Sequence, residues 1–296
     1  MPIFFDTHAH LDYPDYAQDL PEIIARAQAA GISKIISIGT SLASSERAIR
    51  LAEKYPGVYA AVGWHPTEAL DAPIDLRPAL RELAKHPKVV AIGETGLDYH
   101  HLPSSNAGRW GETPGEPSPK TVATPGSRGL SPHPPEFTAA DDARYKEKQA
   151  DIFRQQMEVA AELGLNCVIH QRTAWDDTIA QMKPFIGKTR GVFHCFGETV
   201  ARMRQVFEIG SLVSFTGIVT FKNAQNVREA VAAAPLGQFM LETDCPYLAP
   251  VPYRGKRCEP AYVKEISEAV AQIKLCSLEE LSAATCKTAA DFFPKL

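Results

Sequence analysis

The sequence predicts an α/β fold, a single (β/α)8 barrel that spans residues 1–296. Eight short apolar runs read as strands buried on both faces. Segments with helical periodicity follow nearly every run, and this alternation predicts parallel strands joined by right-handed crossovers. Five of the runs end at or beside a residue that can bind a metal, as expected at the catalytic face of such a barrel.

The predicted strands are runs of β-branched, aromatic or aliphatic side chains. Their length of a few residues favours strands over helices, which need more positions to form. They occupy residues 3–10, 34–38, 58–62, 89–94, 167–170, 191–194, 211–215 and 239–243.

The predicted helices alternate with these strands. Pro21 suits a first helical position, and Gly31 suits the position just past a helix end. Ser277 and Glu280 form a capping-box pattern, which predicts the start of the last helix. The predicted helices occupy residues 21–30, 42–54, 76–85, 146–163, 174–185, 200–209, 224–233, 260–274 and 278–292.

The segment 102–142, after the fourth strand, interrupts the alternation. It is rich in proline, glycine, serine and threonine and poor in apolar residues. Such a segment buries too little surface to offset its ordering entropy, so we expect a flexible surface insertion. Its position on the catalytic face leaves a second interpretation open, in which the segment acts as a lid.

The overall composition limits the classes of function. With 31 basic and 35 acidic residues, the net charge is -4, so no global positive field exists to hold a long nucleic-acid track. Recognition of phosphate must therefore be local, which suits the binding of a chain end better than the wrapping of a duplex.

Cysteine usage and hydropathy indicate a cytoplasmic protein. The 6 cysteines are dispersed and form no Cys-x-x-Cys pair, so a disulfide framework is not expected. A strand that starts at residue 3 leaves no room for a signal peptide, and no apolar run approaches the roughly 20 residues of a membrane span. We expect no membrane association, and a monomer.

Two histidines, His8 and His10, close the first predicted strand. Residues two apart on a strand project to the same face, so both imidazoles would converge as metal chelation requires. The pair alone is a weak signal, because two partly buried histidines at a strand end are the simpler interpretation. His170, His194 and Asp244 at the ends of later strands favour a metal site.

The remaining polar residues at strand ends suggest a catalytic arrangement of Asp244, Glu94 and Glu242. Glu94 can bridge two divalent cations, and His170 and His194 would each offer a neutral ring nitrogen to the second one. Asp244 would bind one cation and accept the proton of a water that two cations make acidic near neutral pH. Glu242, expected on the face of Asp244, would orient a ligand or the water, or else pair with a buried arginine.

Candidate phosphate-binding residues lie near the same face. Arg172 follows His170 by two residues, and its planar fork suits phosphate. Arg254 belongs to a basic cluster at residues 254–257, which is equally well explained as a solvated loop. His65, after the third strand, would contact a phosphate or leaving group, or anchor its loop.

Several motifs together resemble the TatD family of metal-dependent deoxyribonucleases, which belongs to the amidohydrolase superfamily of metal-bearing TIM barrels. The resemblance covers nearly the whole chain except the insertion. The motifs are DTHAHLD at 6–12, GETGLDY at 93–99, HCF at 194–196 and ETDCPYLAP at 242–250, with PYRGKR at 252–257 and EPAYV at 259–263.

The resemblance implies a metal centre and a substrate. The implied ligands are His8, His10 and Asp244 for one metal, Glu94 as a bridge, and His170 and His194 for the other. It also implies a 3′-5′ exodeoxyribonuclease that hydrolyses DNA, single-stranded or at 3′ ends, with two divalent metal ions such as Mg²⁺, Mn²⁺ or Zn²⁺. Two features depart from the family: Cys258 replaces the usual Asn, and the connection after Tyr99 is longer.

Two other classes of function remain open at this point. The first keeps the barrel and the metals but changes the bond, as in an amidase, a lactonase or an esterase such as an aminoacyl-tRNA deacylase. The second is a non-catalytic barrel that binds a nucleic acid or a protein. It predicts missing ligands, whereas all six ligand positions are filled.

Overall fold

The structure, a computed structural model, describes residues 2–106 and 138–296 and contains the predicted barrel. Its strands form one parallel eight-stranded sheet, in which each strand pairs with the next along the chain. All eight predicted strands are present, with ends that shift by a few residues. The strands are β1 Phe4–Ala9, β2 Ile32–Ile38, β3 Val58–Val62, β4 Val89–Asp98, β5 Asn166–Arg172, β6 Gly191–Phe193, β7 Leu212–Phe215 and β8 Phe239–Leu241.

The helices of the described residues match the predicted ones in number and order. The predicted capping box at the last helix is confirmed, because the Ser277 side chain accepts from the Glu280 amide and the Glu280 carboxylate accepts from the Ser277 amide. Gly31 follows the first helix with a φ of 87°, which suits glycine. The helices are α1 Leu20–Ala29, α2 Leu42–Lys54, α3 Arg77–Ala84, α4 Ala139–Leu163, α5 Trp175–Met182, α6 Val200–Glu208, α7 Gln225–Ala233, α8 Val263–Lys274 and α9 Leu278–Phe292.

The helix α4 begins earlier than predicted. Thr138 caps it with Asp141 in a second capping box, so residues 138–142 form its start rather than a flexible insertion. The Ser104 amide donates to Asp142 Oδ1 at 2.9 Å, which ties the start of the segment to the helix. The polar first turn carries no apolar periodicity, and this hid the helix start from sequence analysis. The rest of the predicted insertion, residues 107–137, lies outside the described residues.

The barrel closes where β1 meets the segment that follows β8. Ala9 forms a parallel bridge with Cys245. The His10 amide donates to the carbonyl of Cys245 at 2.8 Å, and the Asp244 amide donates to the carbonyl of His8 at 2.9 Å. The closure therefore involves the backbone of three predicted metal ligands and determines where their side chains lie.

The opposite end of the barrel is apolar. The last helix, α9, brings Phe292 and Phe293 into a buried cluster with side chains from β2 to β8, among them Val90, Val168 and Met240. Burial of apolar area of this kind is the main favourable contribution to folding. None of the described helices has the length and hydropathy needed to cross a membrane.

Candidate metal centre

The first group of predicted ligands lies where the barrel closes. Nε2 of His8 and Nε2 of His10 are 3.3 Å apart, so the predicted convergence of the two imidazoles is confirmed. Asp244 Oδ1 lies 3.5 Å from Nε2 of His8 and 3.4 Å from Nε2 of His10. These three residues offer ligand atoms that all lie within 4.8 Å of one another.

The second group surrounds one oxygen of Glu94. Oε1 of this carboxylate lies 2.8 Å from Nε2 of His194 and 2.9 Å from Nδ1 of His170. The other oxygen, Oε2, lies 3.4 Å from Nε2 of His8 and 3.7 Å from Nε2 of His10. Glu94 therefore divides its two oxygens between the two groups, which is the geometry that a bridging carboxylate needs.

The donor atoms fit divalent metal ions. Imidazole nitrogens and carboxylate oxygens are typical ligands of Zn²⁺, Mn²⁺ and related cations. The outward nitrogens Nδ1 of His8, His10 and His194 are buried without a hydrogen-bond partner, so these rings direct their polar contacts towards the carboxylates. Among the described residues, three sets of ligand atoms lie close enough together to hold an ion.

His65 joins the second group. Its Nε2 lies 3.4 Å from Glu94 Oε1 and 3.2 Å from Nδ1 of His170, while its Nδ1 lies 2.6 Å from Thr67 Oγ1. Sequence analysis predicted a substrate contact for this residue. The structure places it among candidate ligands as well, because the backbone of His65 is tied to Thr40 at the barrel mouth. A single histidine in a loop gives no sequence signal that it could be a metal ligand.

Charge inside the centre is dominated by Glu94. Burial opposes its ionisation, but His194, His65 and His8 outweigh that effect and hold the pKa of Glu94 well below its usual range. Burial likewise favours neutral His194, and Glu94 outweighs it, raising the pKa of His194 to about 9. His8 differs, because burial and the nearby His194 lower its pKa to about 4. The negative charge of the Glu94 carboxylate thus interacts with several buried imidazoles at once.

Glu242 lies behind His194 rather than among the converging atoms. Strand β8 ends at Leu241 and Asp244 has a φ of 58°, so the expectation that Glu242 and Asp244 share a strand face is wrong. Glu242 Oε1 accepts from the Cys195 amide at 2.6 Å and lies 3.9 Å from Nδ1 of His194. Burial raises the pKa of Glu242 to about 7.

Asp98 is a buried carboxylate to which sequence analysis assigned no role. Its Oδ2 lies 3.0 Å from Nε2 of His170 and 2.8 Å from Nδ1 of His101. Burial would raise its pKa, but hydrogen bonds from His101 and His170 hold the pKa of Asp98 well below its usual range. Its position four residues after Glu94 on the same strand was an available signal, since even spacing on a strand indicates a shared face.

The centre opens into a cleft of about 760 Å³. Arg172, Arg254 and Lys256 line this cleft, and His65 lines it as well, so all three predicted substrate-binding residues face it. The guanidinium of Arg254 lies 3.8 Å from the centre of the Phe221 ring. Arg257, in the same basic cluster, turns away instead and donates to Asp19 Oδ1 at 3.0 Å.

Two tyrosines form an aromatic wall of the cleft. The ring of Tyr13 stacks on His10 with centroids 4.7 Å apart, and Tyr247 presents its edge to Tyr13 at 6.3 Å. Each tyrosine follows a candidate ligand by three residues, Tyr13 after His10 and Tyr247 after Asp244. Sequence analysis did not single them out, because aromatic residues near a strand end are more often part of the core.

Cys258 is buried in the core, and two hydrogen bonds of its backbone hold the surrounding loop. The hydroxyl of Tyr16 donates to the carbonyl of Cys258 at 2.6 Å, and the Cys258 amide donates to the carbonyl of Pro246 at 2.9 Å. The cysteine side chain takes part in neither bond, so both are present although cysteine replaces the usual Asn.

Comparison with known proteins gives a family. A family model described as TatD related DNase matches residues 5–294. The uncharacterized metal-dependent hydrolase YabD of Bacillus subtilis is 35% identical over 292 residues, which cover 98% of this chain and 99% of YabD. The 3′-5′ ssDNA/RNA exonuclease TatD of Klebsiella pneumoniae is 30% identical over 273 residues, which cover 90% of this chain and 89% of that protein.

A solved structure shows the same fold. The crystal structure of YjjV, a TatD homologue from Escherichia coli K12, superposes with a TM-score of 0.80 and covers 98% of both chains. Its sequence identity to this chain is 23%. The predicted barrel is therefore confirmed by the strand topology and by a related solved structure.

Proposed function

The chain belongs to the TatD family of metal-dependent hydrolases, and from this premise we propose that it cleaves phosphodiester bonds of DNA as a 3′-5′ exonuclease with two divalent metal ions. The observation that carries the proposal is the division of the Glu94 oxygens between two groups of imidazoles. A nuclease relative at 30% identity supports a nucleic-acid substrate.

Each group would hold one of the two ions. We assign His8, His10 and Asp244 to the first ion and His170 and His194 to the second, with Glu94 shared. His65 lies close enough to Glu94 and His170 to be an additional ligand of the second ion. Neutral nitrogen ligands favour Mn²⁺ or Zn²⁺, while the carboxylates also admit Mg²⁺.

The chain's own residues would then handle protons and charge. Divalent ions, when bound, act as Lewis acids that make water a stronger nucleophile and stabilise charge on phosphoryl oxygens. Burial opposes ionisation of Asp244, but His10 and His8 outweigh it and lower its pKa, so this carboxylate is ionised near neutral pH and able to accept a proton. Glu242, behind His194, would orient that ring.

The cleft suits the end of a nucleic-acid chain. The negative net charge of the protein disfavours a long phosphate track, whereas Arg172, Arg254 and Lys256 offer local positive charge in a cleft that Glu68 and Glu198 also line. Arginine contacts phosphate with two parallel hydrogen bonds, which orients the bond to be cleaved. We therefore propose single-stranded DNA or a 3′ end as the substrate, bound by a monomer.

The proposal is tested with the metal-loaded protein and single-stranded oligonucleotides labelled at either end. A 3′-5′ exonuclease releases a 3′ label as a mononucleotide at once, and it shortens a 5′-labelled strand one nucleotide at a time. Release of the 5′ label first would contradict the polarity. Rapid turnover of an aminoacyl-tRNA ester, with no cleavage of DNA, would favour an esterase of the same superfamily instead.

A further inference from the structure

Asp98 lies on the side of His170 opposite to Glu94. Nδ1 of His170 faces Glu94 Oε1 at 2.9 Å, and Nε2 of the same ring faces Asp98 Oδ2 at 3.0 Å. The side chain of Asp98 is fully buried, so water does not compete for this contact. The ring is thus held between two carboxylates, one inside the proposed metal centre and one outside it.

The direction in which Asp98 points is determined by its own backbone and by its second oxygen. Gln149 clamps the backbone of Asp98 by accepting from its amide at 2.9 Å and donating to its carbonyl at 3.0 Å. Oδ1 of Asp98 accepts from the amides of His100 and His101 at 2.9 and 3.0 Å. Oδ2 is therefore the oxygen that remains for the imidazole rings.

The two carboxylates limit where the His170 ring can carry its proton when an ion is bound. A neutral imidazole carries one N–H group, and an ionised carboxylate accepts hydrogen bonds but donates none. Glu94 Oε1 faces Nδ1 at a similar distance, so the two carboxylates compete for this N–H in the absence of an ion. With an ion in the centre, Glu94 and Nδ1 would both turn lone pairs towards it, and Asp98 Oδ2 would be the acceptor left for an N–H on Nε2. A metal-binding histidine commonly donates its other N–H to a carboxylate, which also raises the basicity of the ligand nitrogen.

We propose that Asp98 is a positioning residue that holds His170 in the Nε2–H form and thereby makes Nδ1 a metal ligand. The inference rests on the proposed function, in which His170 binds the second ion. The simpler explanation is that Asp98 anchors only the following loop, through the amides of His100 and His101. The two explanations differ in what they predict for the ring of His170.

The substitution Asp98→Asn distinguishes the positioning of His170 from the anchoring of the loop. Two amide donors face Oδ1, so the Asn oxygen must take that position and its NH2 group must take the position of Oδ2. The NH2 group then donates to Nε2 of His170 and moves the ring proton to Nδ1. The two amide contacts of the loop survive this change, because Oδ1 keeps its two donors. The contact of Oδ2 with Nδ1 of His101 changes as well, and the variant His101→Ala controls for it. The ligand nitrogen of His170 loses its lone pair.

The first measurement determines which nitrogen of the His170 ring carries the proton. Zn²⁺-loaded protein with ¹⁵N-labelled histidine is examined by long-range ¹H–¹⁵N correlation, and the signal missing from His170→Gln assigns His170. We expect the Nε2–H form in the wild type and the Nδ1–H form in Asp98→Asn. The Nδ1–H form in the wild type overturns the inference, even if Asp98→Asn fails to fold.

The second readout is the binding of Zn²⁺ by calorimetry. We expect Asp98→Asn to bind Zn²⁺ about 10–100-fold more weakly at one of two sites. The matched control His101→Ala removes the other imidazole at Oδ2 and is expected to retain the wild-type affinity. Wild-type affinity in Asp98→Asn would overturn this inference alone. A wild type that binds no Zn²⁺ would overturn the proposed function as well, since no ligand would remain to be positioned.

Discussion

The two ends of the barrel bury opposite kinds of side chain. At the carboxyl ends of the strands, His8, Glu94, Asp98 and Glu242 are all at most 2% exposed. At the other end, α9 covers an apolar cluster with Phe292 and Phe293. Burial of charged groups lowers stability unless each one is paired, whereas apolar burial raises it. The comparison indicates that one end carries the chemistry and the other end contributes the stability that permits it.

The largest expected effect comes from a substitution at the polar end of the barrel. Asp244→Asn should lower the rate of DNA cleavage by about 10²–10⁴-fold, because it removes the proposed proton acceptor and an ionised metal ligand. Steady-state kinetics on a labelled oligonucleotide measure the rate. Asp291→Asn, on the surface of α9, is the matched control, and unchanged activity in Asp244→Asn would refute the proposed role.

A substitution at the apolar end should lower the stability and leave the activity unchanged. Phe292→Ala removes a fully buried ring and should lower the free energy of unfolding by about 3–5 kcal/mol, while the folded protein keeps its kcat. Urea denaturation and kinetics on the same preparation test both statements. A loss of kcat without a loss of stability would show that the two ends are not separable.

A smaller effect is expected at the rim of the cleft. Arg172→Ala should raise KM for an oligonucleotide about 10-fold with little change in kcat or Tm, because it removes a charge-assisted contact to phosphate made before the reaction. Arg204→Ala, an exposed arginine of α6 outside the cleft lining, is the control. Equal KM values in the two variants would show that Arg172 is not part of the proposed binding site.

The smallest expected effect comes from the N-terminal cap of α9, at the apolar end. Ser277→Ala deletes the side-chain cap of α9 and should lower the free energy of unfolding by about 1 kcal/mol without altering kinetics. Chemical denaturation measures the change. The conservative variant Ser277→Thr should restore most of the stability, and a Ser277→Ala protein as stable as the wild type would show that the cap does not contribute.

The fold was predictable because its signals are local. Apolar runs of strand length and helical periodicity depend on neighbouring residues, and ligand-type residues at the ends of parallel strands converge by geometry. His8, His10, Glu94, His170 and His194 were predicted as ligands in this way, and the structure places them close together. The start of α4 was missed because its first turn is polar, and the orientation of Glu242 was wrong because the chain leaves β8 before it.

Other features depend on residues far apart in the chain. Asp98 and His170 are separated by 72 positions, and no periodicity relates them, so their contact follows from the pairing of β4 with β5. The partner of Arg257 and the inward turn of His65 likewise depend on loops that pack against other elements.

The order of strands, helices and ligand-type residues was readable from the chain because each of these signals repeats over a few neighbouring positions. The tertiary structure determined which imidazole nitrogen faces the centre, which oxygen of Glu94 serves each group, and which residue lies behind His170. These choices depend on hydrogen bonds between distant segments, which form once the sheet has brought the segments together.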